Sequence, residues 1–410
     1  MKTLIVTEWR LLLFGFLMSF WSSPGQTFFI SLFSGAIREE LSLTHGQFGG
    51  IYSLATLLSA VVIIWTGHQL DRIDLKKFSM VIVIATFFAC WWVSLSNSIA
   101  GLFLSLFLVR HLGQGLLKLT GVTTMVRYLE KSMGKATAIS ITGYTFAEAL
   151  MPSIIIALLI SVGWRTTWKI VGITLILMMI PAILILLKNH SIRHSKYVNE
   201  LKVNENNPDK NLKRRHWNRS EVLKDKYFYL FMPGLMAQSL LFTGFIFHQI
   251  HLVESKGWSL VMWGGLFTLY ASIAFIFTLT SGYLVDKFGA VKLVPIASLP
   301  LGIGLLLLSF FSNPLTAVLF MVLLGISSGI INTISGPFWS EMYGSKHLGS
   351  IKSLASASGV FASSLSPFIL GWFIDFGVSI ESLAFGGFIY VVISSALAYY
   401  AYLASRYILR

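Results

Sequence analysis

The chain of 410 residues is 55% hydrophobic and only 12% charged, whereas about a quarter of the residues of soluble globular proteins are charged. This composition excludes a soluble domain and indicates a polytopic membrane protein. The net charge of +14 also suits a nucleic-acid-binding protein, but in a membrane protein it first raises the question of which side carries the Lys and Arg residues. Because Cys90 is the only cysteine, neither an intramolecular disulfide nor a thiolate metal cluster is expected.

Apolar segments of membrane-spanning length recur along the whole chain, since a helix needs about 20 such residues to cross the hydrocarbon core. The first of them lacks a small-residue cleavage site after a short apolar region, so we expect it to remain as a span. The segments cover residues 11–34, 46–66, 78–97, 99–126, 134–162, 167–187, 228–252, 260–281, 291–311, 314–340, 350–374 and 380–403. The sequence therefore predicts an all-α membrane protein with twelve transmembrane helices.

A polar stretch separates the sixth segment from the seventh. Residues 188–226 are rich in Asn, Lys and Arg and cannot bury much apolar surface, so they are predicted to form a solvated linker. The predicted organisation is an N-terminal six-helix half at 1–187, the linker at 188–226 and a C-terminal six-helix half at 227–410.

Lys and Arg are unevenly distributed between the two sides that these spans define. The two termini and the even-numbered loops hold fourteen, the linker holds eleven, and the opposite side holds four. The positive-inside rule then places both termini and the linker in the cytoplasm of a multi-pass protein, in a plasma membrane or a bacterial inner membrane. Since topology explains the net charge, no nucleic-acid partner is expected.

The first span contains the sequence Pro24-Gly25-Gln26. Proline and glycine interrupt the helix, free backbone groups and present Gln26 at membrane depth. A simple kink and a contact between Gln26 and a substrate are both open at this point.

Two loops share a pattern of a glycine, an aspartate four residues later and then a basic residue. These residues are Gly67, Asp71 and Arg72 after the second span, and Gly282, Asp286 and Lys287 after the eighth. The glycine permits close approach of helices, and the aspartate can accept from helix N-terminal N–H groups or bind a cation in one conformational state. A gating role is therefore predicted, with an ordinary topogenic loop as the simpler alternative.

The two loops belong to an internal repeat. A single shift of 215 residues superimposes the following pairs: Gly67 on Gly282, Asp71 on Asp286, Gly134 on Gly349, and Pro152 on Pro367. A duplicated six-helix unit is thus predicted, and such repeats usually hold a substrate near the midplane of the membrane and work by alternating access.

The fourth span carries two cations, Arg110 and Lys118, with Gln114 between them. Placing such a charge at bilayer depth costs at least about 2.5–3.5 kcal/mol, so these residues usually face a bundle interior or a watery cavity. At 100° per residue, the three side chains lie on one side of an α-helix. Arg110 lies about 16 Å from the start of the span and is predicted to line the cavity, whereas Lys118 is close enough to the end to snorkel instead.

The fifth span carries Glu148, preceded by Tyr144, which is either packing or cavity wall. Glu148 lies about 21 Å along its span, close to the depth of Arg110, so the two could pair. A carboxylate beside a cation stays ionised, whereas one in an apolar site can take up a proton. The alternative is a static ion pair that only fixes the fold.

Several kinds of site are not expected. The sequence has no phosphate-binding G-x-x-x-x-G-K-[ST] motif, and neither a nucleophile–base pair nor H-E-x-x-H is visible, so ATP coupling, enzymatic activity and a cofactor are not predicted. His248 and His251 would need further ligands to hold a metal ion. A sensor that transports nothing would need an output domain, and the linker carries no recognisable one.

Both loops resemble the cytoplasmic loop signature of the major facilitator superfamily. The first copy departs from it, with Gln69 in place of Leu and Asp74 in place of Gly. Arg110 followed by the glycines Gly113 and Gly115 is similar to the fourth-helix pattern of the same superfamily. The resemblance implies a monomeric secondary transporter of a small-molecule substrate in the lipid bilayer.

Two cations against one carboxylate leave a net positive cavity, which favours an organic anion, with a proton carried by Glu148 as the coupling ion. The glycines after Arg110, and the stretch Gly143 to Pro152 followed by Gly163-Trp-Arg165, resemble the monocarboxylate porter and oxalate/formate exchanger branches. Those branches look to carry charged residues in the eighth span or a lysine in the eleventh, and here both spans lack buried charge. The alternative is an exporter of drug-like or neutral solutes.

Overall fold

The computed structural model describes residues 2–129, 132–188, 190, 217–344 and 348–405, and these residues form helices and connecting turns without a strand. The chain divides into two compact units, one of Met1–Leu41 with Leu54–Leu212, and one of Ser42–Ser53 with Lys213–Arg410. Most of the linker predicted at 188–226 lies outside the described residues.

The first unit contains spans one to six, and the helix of the second span begins in the segment that belongs to the second unit. The α-helical and π-helical segments are Lys2–Phe20, Thr27–Ile30, Ser34–Leu41, His45–Arg72, Leu75–Leu95, Ile99–Val109, Arg110–Leu117 (π), Lys118–Tyr128 and Met133–Leu186, with 3₁₀ turns at Ser23–Gly25 and Ser31–Phe33. The last helix has 54 residues but is non-helical at Gly163, where φ is +75°. This glycine therefore ends the fifth span and begins the sixth, between the predicted segments 134–162 and 167–187.

The second unit contains spans seven to twelve. Its helices are Arg219–Val222, Lys226–Phe247, Gln249–Ser255, Leu260–Phe288, Ala290–Ala297, Leu299–Phe310, Pro314–Ile334, Pro337–Tyr343, Leu348–Asp375 and Ile380–Ser405. Ten helical stretches of the described residues are long and apolar enough to cross a membrane. One of these is the long helix that Gly163 divides in two, and the broken first span is not among them.

The first span is interrupted where proline and glycine predict it. Pro24 and Gly25 lie in a 3₁₀ turn, and Gln26 follows in an extended conformation with φ −89° and ψ 153°. Proline supplies no N–H and cannot continue the preceding α-helix, so the chain restarts its helical bonding after Gln26. The predicted break is confirmed.

Small residues let the first span approach spans four and five closely. A Cβ atom built on Gly143 would lie 2.0 Å from the carbonyl oxygen of Phe16, and one on Gly121 would lie 2.9 Å from that of Gly15. The Ser140 hydroxyl donates to the Gly15 carbonyl at 2.9 Å. Such small-residue contacts are the usual way for membrane helices to pack closely, and they set the position of the break beside spans four and five.

The helix after each signature loop begins in a different way. In the first unit Asp74 is the N-cap residue, and its carboxylate accepts from the N–H of Lys77 at 3.1 Å. In the second unit Gly289 adopts φ +82°, and the Glu341 carboxylate accepts from the N–H of Ala290 at 2.7 Å. Asp74 therefore replaces the glycine of the signature with a cap of its own.

Candidate functional site

Arg110 is the first residue of a π-helical segment, Arg110–Leu117, in the middle of the fourth span. Its side chain is 2% exposed. Its Nε donates to the Thr56 hydroxyl at 3.0 Å and its Nη1 to the carbonyl of Gly25 at 2.9 Å. The guanidinium thus satisfies a backbone group that the break in the first span has freed.

Two glycines make this arrangement possible. A Cβ atom on Gly25 would lie 2.4 Å from the backbone nitrogen of Gln114, and one on Gly113 would lie 2.8 Å from the nitrogen of Gly25. The backbones of the broken first span and of the π segment therefore touch directly. Local π geometry inside an α-helix frequently marks a functional site, and here it faces the break.

Lys118, Tyr144 and Glu148 form a second cluster, about two helical turns further along the fourth span. The Lys118 ammonium lies over the ring of Tyr144, 4.0 Å from its centroid. The Tyr144 hydroxyl donates to Oε1 of Glu148 at 3.0 Å, and the Glu148 side chain is 5% exposed. Because Tyr144 and Glu148 are four residues apart on one helix, they lie on the same face. The tyrosine therefore lies between a cation and a carboxylate.

The described residues contain no ion pair between Arg110 and Glu148, so the pairing that their similar depths suggested is not formed. Arg110 is directed to Gly25 and Thr56, and Lys118 to Tyr144. The predicted single stripe is thus divided between two sets of neighbours. The prediction assumed an α-helical fourth span, whereas Arg110–Leu117 is π-helical.

The other two residues predicted in the membrane have different surroundings. Gln26 is 4% exposed, and its Nε2 donates to the Ser22 hydroxyl at 3.3 Å, which favours a role in the break itself. Gln114 is half-buried and places its backbone against Gly25. Neither observation tests a contact with a substrate.

The signature loops are only partly described, because the side chains of Asp71 and Arg72 lie outside the described residues. A Cβ atom on Gly67 would meet Leu119 at 3.1 Å, whereas one on Gly282 would have no described atom within 4 Å. Asp286 and Lys287 are exposed. The helix N-terminus in this loop is capped by Glu341 and not by Asp286, so the structure gives another residue the capping role that the pattern suggested for the aspartate.

Sequence reasoning missed Thr56 and the carbonyl of Gly25 as partners of Arg110. The Pro24-Gly25 break was a signal that some carbonyl in the first span would need a donor. The sequence did not indicate which cation would supply it, because that depends on how closely Gly25 and Gly113 approach each other.

Comparison with known proteins gives one family. The model of the Major Facilitator Superfamily matches residues 12–367 and 242–407 of the chain. A sequence comparison with curated proteins gives no match.

Solved structures share the fold. A bacterial homologue of the human lysosomal transporter Spinster, in an inward-facing and unoccupied conformation, has a TM-score of 0.68 at 16% identity, over 97% of this chain and 98% of that one. The nucleoside transporter NupG has a TM-score of 0.68 at 13% identity, over 96% of this chain and 98% of that one. At these identities the likeness concerns the fold alone.

The predicted fold of twelve spans in two six-helix halves is thereby confirmed, in a multi-pass membrane protein of a family whose members carry small molecules and are typically monomers. The family match covers most of the chain, from the broken first span to the last helix, and includes Arg110, Lys118 and Glu148. The chain belongs to the Major Facilitator Superfamily.

Proposed function

We propose that this protein is a secondary active transporter that moves a small, monocarboxylate-like organic anion together with a proton by alternating access. The observation that carries the proposal is the cluster of Lys118, Tyr144 and Glu148. The lysine has an aromatic face beneath it, and the carboxylate accepts from the phenol and not from the lysine. A half-buried cation at membrane depth, without a direct carboxylate partner among the described residues, gains electrostatic stabilisation from an anionic ligand.

The arrangement supports coupling between substrate and proton. While Glu148 is ionised, its negative charge opposes a second anion near Lys118. A proton on Glu148 removes that opposition, so the substrate anion and the proton favour each other's binding. Tyr144 touches both groups and would transmit the change, because its hydroxyl donates to the ionised carboxylate and its ring lies under the ammonium.

Arg110 adds to the same charge preference from a neighbouring position on the fourth span. It donates to the Gly25 carbonyl and to the Thr56 hydroxyl, and neither of these groups carries a charge. The cations of the fourth span exceed the carboxylate of the fifth by one. With both termini in the cytoplasm, as the distribution of Lys and Arg predicts, a proton gradient across a plasma or bacterial inner membrane would drive uptake.

The test is uptake of labelled small carboxylates into proteoliposomes under an imposed proton gradient. Wild type should accumulate a carboxylate, Lys118→Ala should lose uptake, and Glu148→Gln should keep exchange but lose gradient-driven accumulation. Lys169→Ala is the matched control, because Lys169 also lies over an aromatic ring, that of Trp91, at 5.7 Å. It should transport like wild type. Accumulation by Glu148→Gln equal to wild type would contradict the coupling role.

The alternative is an exporter of drug-like or neutral solutes with the same fold. The fold is shared with a nucleoside transporter, whose substrate class is uncharged. Nucleosides and lipophilic cations therefore belong in the same uptake and efflux assays. If these move while carboxylates do not, the anion assignment is wrong, and the fourth-span cations serve the fold.

A further inference from the structure

The second unit contains a polar triad at membrane depth that the proposed mechanism does not use. Nε2 of Gln238 in the seventh span donates to the Ser328 hydroxyl of the tenth at 2.6 Å. The Ser328 hydroxyl is also bonded to that of Tyr270 in the eighth span, at 3.1 Å. Gln238 lies about 18 Å from the start of its helix at Lys226, so the triad is near mid-membrane.

One hydrogen-bond acceptor of the triad, the amide oxygen of Gln238, is unsatisfied within the described part of the chain. Oε1 of Gln238 is buried and has no hydrogen-bond partner among the described residues. The surroundings are aromatic, with the Phe242 and Phe267 rings 5.7 and 6.3 Å from that of Tyr270. A buried acceptor left unsatisfied is destabilising, and in a native protein such a group calls for an explanation.

Another membrane glutamine of the same unit shows the contrast. Oε1 of Gln249 accepts from the indole N–H of Trp263 at 2.7 Å, so its amide has a structural partner. The Gln238 amide has a partner for its N–H but, among the described residues, none for its oxygen. A purely structural role therefore accounts for both the position and the hydrogen bonding of the Gln249 oxygen. For Gln238 it accounts for the N–H group but not for the oxygen.

The internal repeat indicates what the triad corresponds to. The shift of 215 residues carries Gln238, Tyr270 and Ser328 onto Ser23, Ala55 and Gly113. These three positions are within three residues of Gly25, Thr56 and Arg110, which form the Arg110 cluster of the first unit. The same three helices of each repeat therefore carry a polar cluster, charged in the first half and neutral in the second.

We propose that the Gln238–Tyr270–Ser328 triad is a binding subsite that accepts a hydrogen bond from a hydroxyl or N–H group of the transported solute. Gln238 Oε1 is the acceptor, and Ser328 and Tyr270 hold its amide in place. This rests on the proposed transport of an organic anion and narrows its substrate class to carboxylates that also carry a hydroxyl or N–H donor. Anions without a donor would leave Oε1 unsatisfied and bind more weakly.

The experiment compares lactate with propionate, and ribose with 2-deoxyribose, as ligands of purified wild type, Gln238→Leu and Gln249→Leu. Ligand-induced thermal stabilisation and competition for uptake into proteoliposomes are both measured. Wild type should prefer the hydroxylated member of whichever pair it binds by at least about tenfold. Gln238→Leu should reduce this preference to about twofold while binding the deoxy member as wild type does.

The unliganded proteins separate a binding role from a structural one. Gln238→Leu should melt close to wild type, because it removes a buried oxygen that is unsatisfied among the described residues, together with the bond to Ser328, and the Ser328 hydroxyl keeps its bond to Tyr270. Gln249→Leu should melt lower, because the Trp263 N–H is left without its acceptor. Equal destabilisation by the two variants would overturn the proposal, as would an undiminished hydroxyl preference in Gln238→Leu or the absence of any such preference in wild type.

The same series separates this proposal from the proposed function. If ribose binds with a hydroxyl preference that depends on Gln238 while neither acid binds, the anion assignment fails and the subsite stands. If lactate and propionate bind equally well and are both accumulated with protons, the function stands and the subsite fails. Ser328→Ala provides a second variant, which should weaken the hydroxyl preference by freeing the Gln238 amide.

Discussion

Arg110 shows how neutral groups can help to hold a charge at membrane depth. It donates to a carbonyl that a helix break has exposed and to the hydroxyl of Thr56. Arginine suits this position because its planar fork presents several fixed donors at once, whereas lysine offers a single ammonium on a flexible stem. The residue therefore joins the first, second and fourth spans.

Replacing Arg110 with lysine tests whether the guanidinium group is needed to join these three spans. Arg110→Lys keeps the charge but replaces the two donor nitrogens, Nε and Nη1, with one ammonium nitrogen on a shorter side chain. One buried acceptor should then lose its donor, at a cost of about 1–3 kcal/mol. We expect a lower thermal midpoint in detergent and reduced uptake. Thr56→Val should show part of the loss and Thr56→Ser almost none, since serine keeps the hydroxyl. If the Arg110→Lys protein were as stable as wild type, the two bonds from the guanidinium group would not be needed for stability, and this interpretation would be wrong.

Glu40 gives a prediction about pH. Hydrogen bonds from Arg165, at 2.7 and 3.0 Å, hold the pKa of this carboxyl below its usual value of 4.5. A lowered pKa means that the stabilisation is complete above pH 4.5 and is lost as the pH falls through the lower value of the folded protein. Glu40→Gln should therefore reduce the free energy of unfolding at pH 7 by at most about 1 kcal/mol, because the pair is partly exposed.

The measurement is the thermal midpoint of wild type and Glu40→Gln between pH 7 and pH 3. The difference between the two should shrink below about pH 4.5. Glu39→Gln, at the exposed neighbouring position, is the control and should follow wild type throughout. A constant difference across this range would mean that Glu40 acts through packing and not through its charge.

The surroundings of single residues could be predicted where the cost of placing a charge in the membrane determined them. Arg110 and Glu148 could be assigned to the membrane interior from their distance along their spans, whereas snorkelling stayed open for Lys118 and the bond from Tyr144 to Glu148 was not predicted. The carbonyl that Arg110 binds could not be predicted, since it is exposed by the conformation of Gly25. The triad around Gln238 was missed because neutral Gln, Tyr and Ser side chains occur in many membrane helices without a shared role.

Among the elements, the break in the first span and the π segment of the fourth depend on each other. A Cβ atom on Gly25 would lie 2.4 Å from the Gln114 nitrogen and 2.5 Å from the Val109 carbonyl oxygen. Both atoms belong to backbone, which cannot move aside as a flexible side chain can. The contact between these two elements therefore requires glycine.

Gly25→Ala should be destabilising by about 1–3 kcal/mol or more, as is usual for an overpacked interior. It should also weaken uptake, because the carbonyl that Arg110 binds would shift. Gly265→Ala is the matched control, since a Cβ atom there has no described neighbour within 4 Å, and alanine favours a helix. The measurement is the thermal midpoint of wild type and of both variants. If Gly25→Ala melted at the same temperature as Gly265→Ala, the close backbone contact at Gly25 would be refuted.

Hydropathy predicted the helices well and their interruptions poorly. Pro24 correctly predicted the break in the first span. The boundary between spans five and six lies at Gly163, as the apolar segments implied. The π segment gave no such signal, because its sequence reads as a continuous helix. The sequence likewise gave no indication that Glu341 caps the helix that begins at Ala290, since the two residues are about fifty positions apart.

For the whole molecule, the internal repeat and the loop signature were the strongest predictors. The offset of 215 residues is enough by itself to indicate two homologous halves. The fold could therefore be predicted in full, whereas the substrate could not, because the two halves differ where the chemistry lies. Duplication conserves the positions of helices more readily than the side chains that line a site.

The orientation in the membrane can be tested with cysteine labelling. Cys90 is the only cysteine and is buried, so single cysteines can be introduced against a low background. With both termini in the cytoplasm, a membrane-impermeant maleimide added to intact cells should label Ser379→Cys but not Lys287→Cys, and both should react after permeabilisation. Both positions are exposed. The opposite labelling pattern would reverse the predicted topology.

The π segment Arg110–Leu117 also bears on how this sequence can change in length. A turn closed by i→i+5 bonds contains one residue more than an α-helical turn, so the segment behaves like an insertion that the fourth span has absorbed. Loss of one residue, such as Leu112, would allow ordinary α-helical bonding, with Lys118 still beside Tyr144. Gly113 would no longer lie opposite Gly25. Relatives with a fourth span one residue shorter should therefore tolerate larger residues at the position of Gly25.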